Sequence, residues 1–185
     1  MLERIELRNP KPIRRLSGFT VEEKAGKYKF TSRRPLTDDD IIAAARSILT
    51  RRISCAMPIT CPNGAEQLLI TQLAPEKEEV FSVLFLDTRH KALSLCTIAR
   101  GTIDGAAVSI RQVVRRAIEE NAAAVILAHN HPSGSLEPSG ADQRITSNIK
   151  VALEMIDVRV LDHFIVGGGK SYSFARSGRL GMSNI

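Results

Sequence analysis

The apolar run from Ala122 to Ala128, AAAVILA, constrains the fold of this chain more than any other stretch. A short run without polar residues is typical of a strand that is buried on both faces of a sheet. Because side chains alternate along a strand, His129 and His131 at its carboxyl end point the same way, while Asn130 points elsewhere. Two imidazoles that converge on one point indicate a metal-binding site.

The segment after this strand supplies a third ligand. Pro132, Gly134 and Pro138 favour a tight loop, and Ser139 followed three residues later by Asp142 is the capping-box pattern of a helix start. The first turn of that helix brings Asp142 close to the two histidines. Two imidazoles and one carboxylate are three protein ligands, and a zinc ion held by three ligands keeps a fourth position for water.

Helices and strands are interleaved along the rest of the chain, which predicts an α/β sandwich with a mixed β-sheet flanked by helices. The triple glycine at 167–169 is not followed by a helix and therefore predicts a hairpin turn rather than a phosphate site. The predicted helices run from a Thr37 cap to Arg51-Arg52, from an Asn63 capping box to about Ala74, from Ile110 to Ile118 and from Ser139 to Ile156; the predicted strands are 80–86, 92–99, 122–128, 158–166 and 171–175.

The sequence resembles the JAB/JAMM (MPN-type) metalloproteases and isopeptidases. Its two histidines, Ser139 and Asp142 follow the family pattern of H-x-H, seven residues, S, two residues and D. The letters HNHPSG and the later segment DHFIV at 162–166 narrow the resemblance to the RadC-like branch, over about residues 63 to 180. The resemblance implies the deaminase-like architecture of the JAMM fold, one Zn²⁺ per chain, and hydrolysis of a peptide or isopeptide bond.

The resemblance also implies roles for residues that do not bind the metal. A glutamate at the start of a strand acts on the metal-bound water in JAMM proteins, and Glu79 matches that position, with Glu78 as the alternative. Ser139 would donate a hydrogen bond to the oxyanion, a role that competes with helix capping. RadC-like chains usually carry Pro-Arg-Glu where this chain has Ile110-Arg111-Gln112. If that glutamate handles substrate, Gln112 weakens the role, because an amide cannot ionise.

His163 follows Asp162 in the last long strand and leaves two interpretations open. It either supports the metal ligands from behind or is an ordinary buried, hydrogen-bonded histidine. The three cysteines, Cys55, Cys61 and Cys96, are odd in number and lack CxxC spacing. They indicate free thiols rather than a disulfide or a zinc knuckle.

Positive charge is concentrated in the first third of the chain. Residues 1 to 60 carry 13 Lys and Arg against 7 Asp and Glu, whereas residues 61 to 185 carry 13 against 13. We interpret residues 1–60 as a basic N-terminal extension with one helix, and residues 61–185 as a RadC-like JAMM domain. The basic segment leaves open an interaction with nucleic acid or another acidic partner.

Three functional hypotheses follow: a zinc hydrolase, a DNA repair or maintenance factor as the RadC name implies, and a metal-bearing but inactive scaffold. The residues favour the hydrolase. Residues 1–60 have few aromatics for base stacking and lack the paired glycine hairpins of the helix-hairpin-helix module that usually precedes the RadC catalytic domain. With no apolar run near the ~20 residues of a membrane helix and no signal peptide, the sequence predicts a cytoplasmic protein without membrane contact.

Overall fold

The computed structural model describes the backbone of residues 4–6, 19–24, 27–32, 34–55, 62–101 and 108–181. The described strands and helices, in chain order, are β1 (Arg4–Glu6), β2 (Phe19–Lys24), β3 (Lys27–Ser32), α1 (Asp38–Cys55), α2 (Pro62–Leu73), β4 (Val80–Leu86), β5 (Ala92–Arg100), α3 (Ile110–Glu119), β6 (Ala124–Asn130), α4 (Gly140–Glu154), β7 (Arg159–Gly167) and β8 (Lys170–Ser173).

Six strands form one mixed sheet in the order β1-β5-β4-β6-β7-β8, and β2 pairs with β3 in a separate hairpin. The pairs β4 with β5, β4 with β6 and β7 with β8 are antiparallel. Strands β6 and β7 are parallel, and α4 makes the crossover between them. The predicted α/β fold with a mixed sheet and flanking helices is therefore confirmed.

Helices cover both faces of this sheet, and the core accordingly has two parts. Helices α3 and α4 bury Val113, Ala117, Ile149 and Leu153 against one face. Helix α2 buries Ala65, Leu68, Leu69 and Leu73 against the other. Every residue of β6 is buried because this strand is central and covered on both sides, which explains its continuous apolar sequence.

Several predicted boundaries were wrong, each for a physical reason. Helix α1 continues beyond the basic pair to Cys55. Helix α2 starts at Pro62, whose fixed φ suits a first turn, so Asn63 lies inside the helix and does not cap it. Strand β6 reaches Asn130 because it pairs with β7 as far as Val166. The apolar spacing of the helix also predicts Ile118 on its buried face, but Ile118 is 62% exposed, since the buried stripe of α3 consists of the i, i+4 pair Val113 and Ala117.

The N-terminal segment contributes to the sheet. Strand β1 pairs antiparallel with β5, with Ile5 opposite Leu95. The sequence Tyr28-Lys29-Phe30 predicts a short strand, and these residues lie in β3. Arg34, one of the basic residues of the segment, forms a bidentate ion pair with Asp40 at 2.7 and 3.0 Å. The division of the chain at residue 60 stays a prediction.

The sequence also predicts a loop at 102–105 and places Arg14, Arg15 and Arg33 in the basic segment. These residues, and the side chains of Cys55 and Cys61, lie outside the part of the chain that the structure describes. Cys96 is a buried thiol, and its Sγ lies 3.7 Å from Ser94 Oγ. Within the described ranges, none of the helices combines the length and apolar character needed to cross a lipid bilayer.

Candidate metal centre

The end of β6 and the start of α4 bring together the three side chains predicted to bind a metal. His129 lies in β6, and the N–H of His131 donates to the carbonyl of Val166 at 2.8 Å, which prolongs the extended backbone by one residue. Asp142 lies in the first turn of α4. One ligand atom from each of the three residues falls within 4.8 Å of the others, so this group could hold a metal ion.

The predicted capping box is present and fixes the Asp142 carboxylate. The Asp142 N–H donates to Ser139 Oγ at 3.1 Å, and the Ser139 N–H donates to Asp142 Oδ2 at 2.8 Å. The Ser139 hydroxyl also donates to Oδ2, at 2.7 Å. These bonds occupy Oδ2 and leave the other oxygen, Oδ1, 3.2 Å from Nε2 of His129.

A backbone carbonyl sets the protonation of His131. Its Nδ1 lies 3.0 Å from the carbonyl oxygen of Ser135. A carbonyl only accepts hydrogen bonds, so Nδ1 carries the proton and donates it. In the neutral ring this leaves the Nε2 lone pair for a metal.

A chain of hydrogen bonds sets the protonation of His129 in the same way. The Thr146 hydroxyl donates to the Asp142 carbonyl at 2.5 Å and so accepts from Nδ1 of His163 at 2.6 Å. Nε2 of His163 then accepts the Nδ1 proton of His129, at 2.8 Å. Nε2 of His129 is left with a lone pair that faces the other two ligands. The sequence left two interpretations of His163 open. These hydrogen bonds favour the one in which His163 supports the candidate ligand His129 from behind.

Burial and the neighbouring polar groups act in opposite directions on the pKa of Asp142. Burial alone would raise this pKa, but the adjacent His129 imidazole and the Ser139 hydrogen bonds hold it well below its usual range. Burial lowers the pKa of His163 well below its usual value. The carboxylate is thus ionised and the supporting histidine neutral, as a metal site requires.

Two of the three separations between the candidate ligand atoms, 3.0 and 3.2 Å, are close to those in a tetrahedral zinc site. Asp142 Oδ1 is buried and has no hydrogen-bond partner among the described residues. The Nε2 atoms of His129 and His131 lie 3.0 Å apart. Ligands at about 2.0 to 2.1 Å from a tetrahedral zinc are separated by roughly 3.3 Å, close to these values. Three acceptors facing one point without a proton between them are satisfied by a cation.

The predicted general base, Glu79, lies directly before β4, which starts at Val80. The paired register ends with Phe81 of β4 opposite His129 of β6, and two further residues of the same register would put Glu79 opposite His131. The Glu79 side chain is half-buried. The alternative, Glu78, is more than half exposed and lies 3.4 Å from Arg100. The catalytic roles of Glu79 and Ser139 stay predictions.

Three further residues support the centre and were missed from the sequence. Thr146 lies one turn after Asp142, and this i, i+4 spacing was the available signal. Ser135 contributes only its carbonyl, which no sequence pattern reveals. A Cβ on Gly167 would lie 2.7 Å from the Gly134 carbonyl oxygen, so only glycine fits beneath the loop that carries Ser135.

The departure at Gln112 is located but not explained. Gln112 lies in the first turn of α3, and its N–H donates to the capping Ser109 hydroxyl at 3.4 Å. The weakening of a substrate-handling role there stays a prediction. The predicted hairpin at 167–169 is confirmed, since Gly168 and Gly169, both with positive φ, join β7 to β8.

An α/β sandwich with two histidines at a strand end and an aspartate in the following helical turn defines a JAB/MPN-type domain. A model of the RadC-like JAB domain matches residues 59–179. The chain belongs to this family.

Curated relatives are similar over most of this chain. A UPF0758 protein of Nitrosococcus oceani is 54% identical over 66% of the chain and 54% of its own length. UPF0758 proteins of Xylella fastidiosa and Methylibium petroleiphilum are 49% and 48% identical, over 75% and 76% of the chain and 64% and 63% of their own lengths. The chain therefore spans between half and two thirds of these relatives.

Proposed function

We propose that this protein is a zinc-dependent hydrolase of amide bonds, either peptide or isopeptide. One observation carries the proposal: among the described residues the buried Oδ1 of Asp142 has no hydrogen-bond donor, and it lies near two imidazole nitrogens whose rings are protonated on the other side. His129, His131 and Asp142 would hold the zinc. The JAB/MPN family includes metalloproteases, which supports the same chemistry.

Zinc at this position would supply a water molecule whose pKa is lowered to about 7. Glu79 would accept one proton from the attacking water while the oxygen bonds to the carbonyl carbon, and would later deliver that proton to the leaving amine. The products are a carboxylic acid and an amine, so the atoms balance. The Ser139 hydroxyl would turn away from Asp142 and donate a hydrogen bond to the oxyanion. Asp142 Oδ2 would still accept the hydrogen bond from the Ser139 N–H.

The experiment that tests this proposal is metal analysis of the purified protein beside His131→Ala and Asp142→Ala. We expect about one zinc per chain in the wild type and none in either variant. The loaded protein is then assayed on a panel of peptides and lysine-linked isopeptides, with Glu79→Gln as the control. Wild-type protein that takes up no zinc when offered it would contradict the proposal.

Nucleic-acid binding through residues 1–60 is the second candidate function, and the excess of positive charge in this segment supports it. The hairpin of β2 and β3 carries Lys24, Lys27 and Lys29, so their triple substitution by glutamine is the test. We expect DNA affinity to decrease with salt and to weaken in the variant. We also propose that the protein is located in the cytoplasm.

A further inference from the structure

Asn130 lies between the two histidines in the sequence, but its side chain forms hydrogen bonds with the start of β4 and the residues before it. Its side chain, on the opposite face of β6, is 2% exposed. Oδ1 accepts the N–H of Val80 at 2.8 Å, and Nδ2 donates to the carbonyls of Glu78 at 3.0 Å and Glu76 at 3.3 Å. All three bonds go to the turn that leads into β4.

These hydrogen bonds take the place of the backbone pairing that β4 and β6 would make beyond Phe81 and His129. The register of β4 with β6 would place Val80 opposite Asn130, and it is the Asn130 side-chain amide that accepts the Val80 N–H. An amide side chain has the same donor and acceptor as a peptide group, so it can continue the pairing beyond Phe81 and His129, where the backbone register of β4 with β6 ends. The position of the β4 entrance therefore depends on one side chain.

Glu79 lies inside the segment that Asn130 holds. Its two neighbours, Glu78 and Val80, both bond to the Asn130 amide, and its own carbonyl accepts the N–H of Gly101 at 2.9 Å. The backbone on each side of Glu79 is thus fixed relative to β6. Since β6 also carries His129, the distance between the base and the ligands is set through Asn130.

We propose that Asn130 is a positioning residue that holds the Glu79 carboxylate at the metal centre. The inference rests on the proposed function, in which Glu79 is the general base. Asn130 contributes no atom to the metal and none to the substrate. It acts by bonding the end of β6, which carries His129, to the segment 76–80, which carries Glu79.

The test compares Asn130→Ala and Asn130→Asp with Val113→Ala, a core variant in α3 that destabilises the fold without contacting this turn. Amide hydrogen exchange is followed by NMR. In Asn130→Ala we expect exchange at Val80 and Gly101 to become at least about tenfold faster than in Val113→Ala at matched global stability, because both N–H groups lose local protection. Zinc content should remain at about one per chain.

Asn130→Asp keeps the acceptor of the Asn130 amide and removes its donor, so it tests the two groups separately. It keeps an acceptor for the Val80 N–H but sets a carboxylate oxygen against the carbonyls of Glu78 and Glu76. We expect Val80 to remain protected, and we expect the kcat for an amide substrate to decrease at least about tenfold in both variants, with KM unchanged. The backbone resonances of Glu79 should shift in both.

Three results would overturn the proposal: unchanged exchange at Val80 in Asn130→Ala, loss of zinc in that variant as in His131→Ala, or wild-type kcat after protection is lost. Absence of zinc in the wild type is a different result. It would reject the proposed function, whereas the exchange measurement would still decide whether Asn130 holds the turn.

Discussion

The metal centre and the entrance of β4 meet at the same place in the fold but are specified in different ways. The three candidate ligands come from one continuous segment, in which a strand end, a tight loop and a capped helix fix the geometry. Glu79 lies 50 residues before His129, directly ahead of β4, and its neighbours Glu78 and Val80 are bonded to the Asn130 side chain. The ligand cluster is thus encoded locally, whereas the position of the base is encoded by pairing between distant segments.

The largest effect should come from Asp142→Asn. This nearly isosteric change removes the ligand charge, so zinc affinity should decrease by far more than the roughly 10- to 100-fold that supporting residues contribute. Glu79→Gln should leave the affinity unchanged, because Glu79 belongs to the other region. Competition with a chromophoric chelator measures both. Equal losses in the two variants would mean that the regions are not separable.

Local encoding explains why the sequence predicted the ligands and missed their support. A strand, a loop and a capping box are short-range patterns, and they were sufficient for His129, His131 and Asp142. The strand β4 was predicted at its observed bounds for the same reason. Asn130 was only expected to point away from the metal, because its partners Glu76 and Val80 are known only once β4 and β6 are paired.

Gly167→Ala tests whether the segment 129–142 is sufficient to fix the geometry of the three candidate ligands. The new Cβ would lie 2.7 to 2.8 Å from backbone atoms of Gly134 and Ser135, so the loop must move. The move would break the bond from His131 to the Ser135 carbonyl. We expect a loss of about 1 to 3 kcal/mol in the free energy of unfolding, together with weaker zinc binding.

Urea denaturation and chelator competition measure the two effects of Gly167→Ala. The matched control is Gly169→Ala, at a glycine that has positive φ but no atom within 4 Å of the added Cβ. It should lose stability without loss of zinc affinity. If both variants bind zinc as the wild type does, the loop contributes nothing to the centre.

His163→Phe should weaken zinc binding about 10- to 100-fold. The phenyl ring can replace the stacking of His163 on Phe174 but leaves the Nδ1 proton of His129 without its acceptor. Thr146→Val removes the hydroxyl at the far end of the same chain and should weaken binding by less. The order of the three affinities, wild type above Thr146→Val above His163→Phe, tests the hydrogen-bond chain, and the reverse order would contradict it.

The metal-free protein should lose stability as the pH falls below about 6.5. The pKa of His163 is lower in the folded state than in the unfolded state, so the unfolded state binds the extra proton. With an unfolded pKa near 6.5, the loss from this group is about 1.4 kcal/mol between pH 7.5 and pH 5.5. Urea unfolding at the two pH values measures it. The difference should shrink by that amount in His163→Phe, and an unchanged difference would assign the pH dependence elsewhere.

The smallest effect should come from Glu78→Gln, and it sharpens the assignment of the base. The Glu78 carboxylate is more than half exposed and its ion pair with Arg100 is long, at 3.4 Å, so the free energy of unfolding should change by no more than about 0.5 kcal/mol. Its carbonyl still accepts from Asn130, because the substitution leaves the backbone intact. Zinc content and kcat for an amide substrate should equal those of the wild type, whereas Glu79→Gln should bind zinc and fail to turn over. If Glu78→Gln binds zinc but does not turn over the substrate, the base is Glu78. The register of β4 with β6 would then not predict which carboxylate reaches the metal centre.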